Sequence, residues 1–414
     1  MSFQDKPTYP YYTYTLKNGI RLVYRYTPSQ VAHCGVTIDV GSRDEKVQEN
    51  GMAHFIEHCI FKGTKKRHSY QILSRIDGVG GELNAYTTKE ETCLYATFLN
   101  NYYERVIELF YDILFNSIFP AKELEKEKSV IIDEINSYED SPADLIFDAF
   151  ERLVFGNTGL GRMILGTPKK VQGFTSEQVK DFIDKNYCTN LIVISTVGNI
   201  DFNKWVRICE KYFSLVPEHL ANRKRHTKYN YKPQHIEEKR DTYQAHLMVG
   251  NIAYSYKNKN KVAFSLLNNI LGSNAMNSAL NMHIRERYGF TYALESSYTA
   301  YCDSGIFQVY AGTDEKYIDK TLQLIIKEME SFANKRLTQS SLARAKEQLK
   351  GQIAIQYDSN QNEMLSIGKA LLNYDRIDDI KETYREIDQV TAVDVLKVAN
   401  EIFVKDNLST IKYI

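Results

Sequence analysis

The sequence has no CxxC pair, no net charge and no long apolar run, and each absence removes a class of function. The six cysteines, at 34, 59, 93, 188, 209 and 302, are scattered along the chain. That pattern suits reduced, mostly buried thiols better than a disulfide framework or a finger-type metal site. Lys+Arg and Asp+Glu both number 52, giving a formal net charge of zero. The usual electrostatic reason to expect nucleic acid or an anionic membrane as partner is therefore missing. No stretch of uncharged apolar residues reaches the length of a bilayer span, and the most apolar helical stretch, 104–118, is interrupted by Glu108 and Asp112. The start, MSFQDKPTYP, has neither a basic segment followed by an apolar run nor an Arg-rich transit pattern. The expectation is a soluble, cytoplasmic protein with no nucleic-acid and no membrane partner.

At 414 residues the chain is too long for one ordinary core, so two domains are expected. The turn residues Asn18-Gly19 separate two runs of alternating apolar residues, a type I′ hairpin signal. A strand at 34–40, a helix at 51–62, a glycine-rich bend at Gly78–Gly81, and strands at 82–87 and 92–99 follow. Helices at 103–118, 121–138 and 142–155, a strand at 191–199 and a helix at 202–214 complete a first half, residues 1–217. Residues 218–240 are polar and carry Arg223, Lys224, Arg225, Lys228 and Lys232. A basic cluster can bind nucleic acid, but in a neutral chain between two periodic segments it reads as a solvated linker. From 241 to 414 the order of elements repeats: a strand at 242–250, helices at 260–271 and 275–287, strands at 292–300 and 305–312, long helices at 315–332 and 337–357, and a last strand at 408–413. Two similarly folded α/β halves, each a sheet covered by helices on one side, account for this order.

Only the first half carries metal-ligand chemistry. His54-Phe55-Ile56-Glu57-His58 lies within GMAHFIEHCIFKG, whose apolar spacing and lack of proline place it on a helix. Histidines at i and i+4 sit about 40° apart around a helix axis, so both imidazoles can reach one ion. Zinc takes neutral nitrogen ligands of this kind. Glu57 lies on the same face, placed to contact a water rather than the ion, in the order of the inverted zinc motif. The five-residue match can also arise by chance in a helix. A zinc hydrolase needs three protein ligands and an open position, so a carboxylate is required from elsewhere. In EKEKSVIIDEINSYED, Glu127, Ile131, Glu134 and Tyr138 form one stripe of a helix. Carboxylates on a partly apolar stripe need a positive partner, which a zinc ion would provide. Surface ion pairs of Glu127 and Glu134 with Lys128 or Lys126 are the alternative. The second half has LLNNILG where the first has its histidine motif.

With these residues in hand, the chain resembles the pitrilysin-type inverzincins, the family of insulin-degrading enzyme, the mitochondrial processing peptidases and many bacterial single-half peptidases. Glu134 follows His58 by 76 residues, close to the family's spacing for its third zinc ligand. Glu127 takes the place of the family's second acidic residue, which supports the ligands. Gly80-Gly81-Glu82-Leu83-Asn84-Ala85-Tyr86-Thr87 resembles the family's glycine bend and edge strand, which implies that substrate adds to Glu82, Leu83, Asn84, Ala85 and Tyr86 as a further strand. Ile284-Arg285-Glu286-Arg287-Tyr288-Gly289-Phe290-Thr291-Tyr292 resembles the segment whose Arg and Tyr hold the substrate backbone and the tetrahedral intermediate. By that likeness the pair is Arg285 and Tyr292. The turn before it, Gly272-Ser273-Asn274-Ala275-Met276-Asn277, is less glycine-rich than the family's.

The resemblance implies two halves, each with a mainly antiparallel sheet, and a zinc endopeptidase with His54, His58 and Glu134 as ligands, one zinc per chain, and Glu57 as general base. It implies peptide or unfolded substrates enclosed in a chamber. Because the chain is half the length of the long family members, a homodimer, or pairing with a homologous half, would supply the enclosure. A non-catalytic assembly subunit and a protease dedicated to one precursor peptide are the competing expectations.

Overall fold

In the computed structural model the described residues are 10–225, 231–240, 242–273 and 275–414. Lys228 of the basic cluster and Asn274 of the turn before the Arg/Tyr segment lie outside them. The chain forms two compact units, each built on one sheet.

The first sheet contains β1 (Tyr11–Thr15), β2 (Arg21–Tyr26), β3 (Val31–Ile38), β4 (Glu82–Thr87), β5 (Thr92–Leu99) and β6 (Ile192–Gly198), in the order β1-β2-β6-β3-β5-β4. All pairings are antiparallel except β2 with β6. The β1–β2 hairpin is present, but its turn differs from the type I′ expectation. Leu16 and Ile20 close a three-residue loop, and Gly19 (φ +93°) is left-handed while Asn18 is not. A type I′ turn needs positive φ at both central residues, whereas a three-residue loop needs it at one. Asn18 instead turns its amide to the carbonyls of Phe213 and Val216.

The second sheet contains β7 (His235–Glu238), β8 (Ala245–Ala253), β9 (Thr291–Ala300), β10 (Gly305–Thr313) and β11 (Ser409–Tyr413), in the order β7-β11-β8-β10-β9. Here β7 runs parallel to β11 and the other pairs are antiparallel. Matching β2, β6, β3, β5 and β4 to β7, β11, β8, β10 and β9 reproduces both the order and the direction of every pair. The internal repeat read from the element order is therefore real, with β1 as an addition. Strands β4 and β9 are the equivalent sheet edges.

The helices, in chain order, are α1 (Met52–Cys59), α2 (Ser69–Asp77), α3 (Tyr103–Asn116), α4 (Ala121–Glu139), α5 (Pro142–Phe155), α6 (Pro168–Gly173), α7 (Ser176–Asn186), α8 (Phe202–Phe213), α9 (Lys261–Gly272), α10 (Glu286–Tyr288), α11 (Ile318–Asn334), α12 (Gln339–Tyr357), α13 (Asn360–Tyr374), α14 (Ile380–Gln389) and α15 (Ala392–Ile402). The expected helix at 275–287 is reduced to a π turn, Asn281–Arg285, leading into the single turn of α10. Six helices, α2, α6, α7, α13, α14 and α15, fall where no element was expected, as does β7.

Each sheet is covered on both faces, not one. On β8 and β10, Leu247, Val249, Phe307, Val309 and Ala311 point into a core shared with α9, α11 and α15. The alternate residues Met248, Ile306 and Tyr310 point into a second core made by Ile146, Phe150, Leu153 and Phe155 of α5. In the first sheet, Val23, Val193 and Val197 meet Met364, Ile367 and Leu371 of α13. Strand β6 is buried along its whole length, as a strand covered on both faces must be.

The units consequently do not follow the contiguous division at 217 and 241. The first runs to Ile135 and adds Met163–Arg223 and Ile355–Ile377; the second takes Asn136–Arg162, Lys224–Ala354 and Asp378–Ile414. Helix α5 of the N-terminal stretch belongs to the second sheet, and α13 of the C-terminal stretch to the first. A buried ion pair fixes the latter, with Glu363 accepting from Arg25 and from the Tyr11 hydroxyl at 2.9 Å. The expected linker is also more ordered than its composition suggests. Asn190 and Ala221 exchange two hydrogen bonds (2.8 and 3.0 Å), Arg223 pairs with Asp39 and Asp44, and residues 235–238 form β7.

Because Ile367 is 1% exposed within the core between α13 and the first sheet, Ile367→Ala should cost about 2–5 kcal/mol. Urea unfolding monitored in the first unit checks this. A loss near zero would mean that α13 does not complete that core.

Candidate active site

Helix α1 is eight residues long and is buried on Met52, Phe55 and Ile56. Phe55 packs edge-on against Phe174 with ring centroids 5.3 Å apart. Its N-cap, Gly51, has φ +99°, and a Cβ there would lie 2.8 Å from the carbonyl oxygen of Leu165. Only glycine fits, so α1 starts without a capping side chain of its own.

From this helix both histidines face Glu134 of α4. His54 Nε2 lies 3.9 Å and His58 Nε2 3.6 Å from Glu134 Oε2, and the imidazole centroids are 4.7 Å apart. These separations are too long for hydrogen bonds. They are close to the spacing of about 3.3 Å between ligand atoms that each lie roughly 2.0–2.1 Å from one tetrahedral zinc. Two imidazole nitrogens and one carboxylate oxygen, mutually close and unbonded to one another, are a donor set that fits zinc. His54 is buried and its pKa is held down at about 4 by burial first and by His58 second, which keeps the ring neutral, as ligation requires, at neutral pH.

Glu127 supports this set from the same face of α4. Its Oε2 is 3.4 Å from His58 Nδ1, and its Oε1 receives Lys62 Nζ at 2.7 Å. The alternative of surface ion pairs within α4 is not realised for Glu127 or Glu134. Lys126 pairs with Glu123, and Lys128 with Glu125.

Glu57 sits between the two histidines in sequence, with Oε2 buried and without a hydrogen-bond partner. Burial raises its carboxyl above the usual range, with Thr87 and His58 pulling back and Glu134 adding to the rise. The neighbouring strand β4 packs against α1 and ends the sheet. Among the described residues it bonds only to β5, so its outer N–H and C=O groups are open. Along it Glu82 and Asn84 are exposed, while Leu83, Ala85 and Tyr86 are partly covered.

Arg285 and Tyr292 belong to the second unit. Both are exposed. Arg285 closes the π turn, a helix form often found at functional sites. Tyr292 lies on the edge strand β9 with its hydroxyl 3.5 Å from Asp314 Oδ1.

One residue that sequence reasoning passed over is Glu45. It is 4% exposed, and its carboxylate accepts from Gly51 N (2.9 Å), Ala53 N (2.8 Å) and Asn50 Nδ2 (3.2 Å). An acid six residues ahead of a glycine-capped helix was the available signal. Lys62 was missed as well, because nothing in the spacing ties it to Glu127.

A paired α/β architecture with an HxxEH helix and an acidic third donor defines the class of inverted-motif zinc proteases. Two family models divide the chain between them: "Insulinase (Peptidase family M16)" matches residues 21–168 and "Peptidase M16 inactive domain" matches 173–349. The chain belongs to peptidase family M16. It is 32% identical over 394 residues to an uncharacterized zinc protease of Bacillus subtilis, YmxG, covering 95% of this chain and 96% of that one. An uncharacterized zinc protease of Rickettsia felis is 34% identical over 392 residues, covering 94% of each. A protease from Helicobacter pylori has the same fold, with TM-score 0.90 at 20% identity, covering 98% of this chain and 99% of that one.

Zinc should bind in equal proportion to chains. His58→Ala and Glu134→Ala should each lose it while keeping the circular dichroism of the parent, as read by metal analysis after dialysis. Full zinc content in both variants would refute the donor assignment.

Proposed function

We propose that the chain is a zinc-dependent endopeptidase that cleaves peptides and unfolded segments, with one zinc held by His54, His58 and Glu134. The observation that carries this reading is the convergence of those three donors beside Glu57, whose carboxylate oxygen Oε2 is buried without a hydrogen-bond partner. When bound, zinc supplies Lewis acidity toward the scissile carbonyl and toward water. Glu57 takes a proton from the attacking water and returns it to the leaving amine, a role suited to a carboxyl that burial raises above the usual carboxylate range. Glu127 orients His58 through Nδ1. An extended substrate adds to the open edge of β4 along Glu82–Tyr86, which reads backbone rather than side chains and so implies broad sequence preference. Arg285 and Tyr292 donate hydrogen bonds where negative charge develops.

In this reading two copies close into a chamber that admits peptides and excludes folded proteins. The six cysteines form no disulfide, and all but Cys302 are buried, which supports a reducing compartment such as the cytoplasm. No helix among the described residues is long and apolar enough to cross a membrane.

Glu57→Gln should lower turnover by roughly 10²–10⁴ while zinc stays bound. Cleavage of a peptide mixture, followed by mass spectrometry with and without a chelator, measures it. Loss of zinc in this variant would show that Glu57 is a ligand, and unchanged turnover would remove it from the reaction.

Arg285 and Tyr292 lie in the unit without the metal donors, and a short chain gains an enclosed site only by pairing. Each chain's pair should therefore serve the partner's site. Refolding Glu57→Gln chains together with Tyr292→Phe chains should restore about a quarter of all sites, given random two-fold assembly. Activity no higher than that of the separate variants, with mixed dimers confirmed by mass, would mean that each chain uses its own Tyr292.

A further inference from the structure

We infer that Glu45 is the positioning residue of the metal-donor helix, its buried carboxylate setting where α1 begins and thereby where His54 stands. A helix normally satisfies its first N–H groups with the side chain of its own N-cap. Gly51 has none, and the 2.8 Å approach of the Leu165 carbonyl to a Cβ at that position excludes a replacement. The cap is therefore imported. Glu45 Oε2 accepts from Gly51 N and Oε1 from Ala53 N. Asn50 extends the grip, its Nδ2 donating both to Glu45 Oε2 and to the carbonyl of Met163 at 2.8 Å.

Two consequences bear on the metal site. Ala53 is the residue before His54, so the carboxylate holds the Met52–Ala53 peptide group, one residue from the first imidazole. The charge matters as well. The N-terminal end of a helix is electropositive and opposes a cation in its first turn, where His54 lies. A carboxylate on that end offsets the opposition. A neutral amide of the same shape does not, and it also turns an N–H toward one of the two backbone donors.

This inference rests on the zinc reading, and the experiment separates the two. Full-length wild type, Glu45→Gln, Glu45→Asp and Val193→Ala are compared by chelator competition for zinc, by thermal melting, and by amide exchange at Gly51 and Ala53 in the metal-free chain. Val193 is buried in the core against α13, a cluster that includes no α1 residue, and serves as a destabilised control. Glu45→Gln should weaken zinc binding by about 10–100-fold and speed exchange at Ala53. Val193→Ala should melt earlier with zinc affinity and Ala53 exchange unchanged. Glu45→Asp keeps the charge on a shorter arm and should fall between wild type and Glu45→Gln; if Glu45→Gln does not fold, this variant decides. Wild-type zinc affinity in the Glu45 variants, or an equal loss in Val193→Ala, would overturn the inference. If wild type itself binds no zinc, the zinc reading fails. Ala53 exchange then still decides whether Glu45 fixes the helix start, and unchanged exchange would overturn that too.

Discussion

The chemistry of this chain depends on holding an eight-residue helix in one place while much of its polar surface is out of water. A helix that short is not stable alone, so α1 persists only through what packs on it. Phe174 meets Phe55, Glu45 takes up the first N–H groups, and Gly51 and Gly166 approach closely enough that a Cβ on either would collide with backbone. The site is costly to maintain. His54 Nδ1 and Glu57 Oε2 are buried without partners, and each such group costs about 1–3 kcal/mol. A folded chain tolerates that where ligand, substrate or water completes the hydrogen bonding.

The scaffold around the site is a repeated sheet whose two copies are alike in strand order and unlike in chemistry. The first copy follows β3 with α1 and its donors. The second follows β8 with α9, whose buried Leu266, Leu267 and Leu271 fill a core and carry no ligand. The edge strands β4 and β9 are equivalent, so the repeat offers two open edges, one beside the metal donors and one bearing Tyr292. Sameness of fold and difference of function coexist because the core asks only for apolar volume at alternating positions, whereas ligation asks for particular side chains at particular points.

The exchange of α5 and α13 changes what a half of this molecule is. Each sheet has apolar residues on both faces, and the second face is filled by a helix from the other end of the chain. The contiguous halves therefore do not possess complete cores. Glu363 gives α13 a defined seat, because a buried carboxylate is tolerable only where Arg25 and the Tyr11 hydroxyl meet it.

The local sequence by itself determined the strands and helices with strong periodicity, the hairpin at Asn18-Gly19 and the repeat of element order, and it marked the candidate metal donors. His54 and His58 are legible because i, i+4 on a helix is a local geometry. The stripe marked Glu127 and Glu134 alike, because an acid on a half-apolar face demands a cation, and the resemblance to the family's spacing singled out Glu134. Tertiary structure alone decided which helices cover which faces, that α5 and α13 change units, that residues 235–238 join a sheet, and that Lys62 meets Glu127. The distinction is physical. Periodicity and ligand spacing are written in neighbouring residues, whereas a face of a strand such as β6 is apolar whatever covers it, and a charge such as that of Lys62 has no Glu127 to meet until the chain folds back upon it.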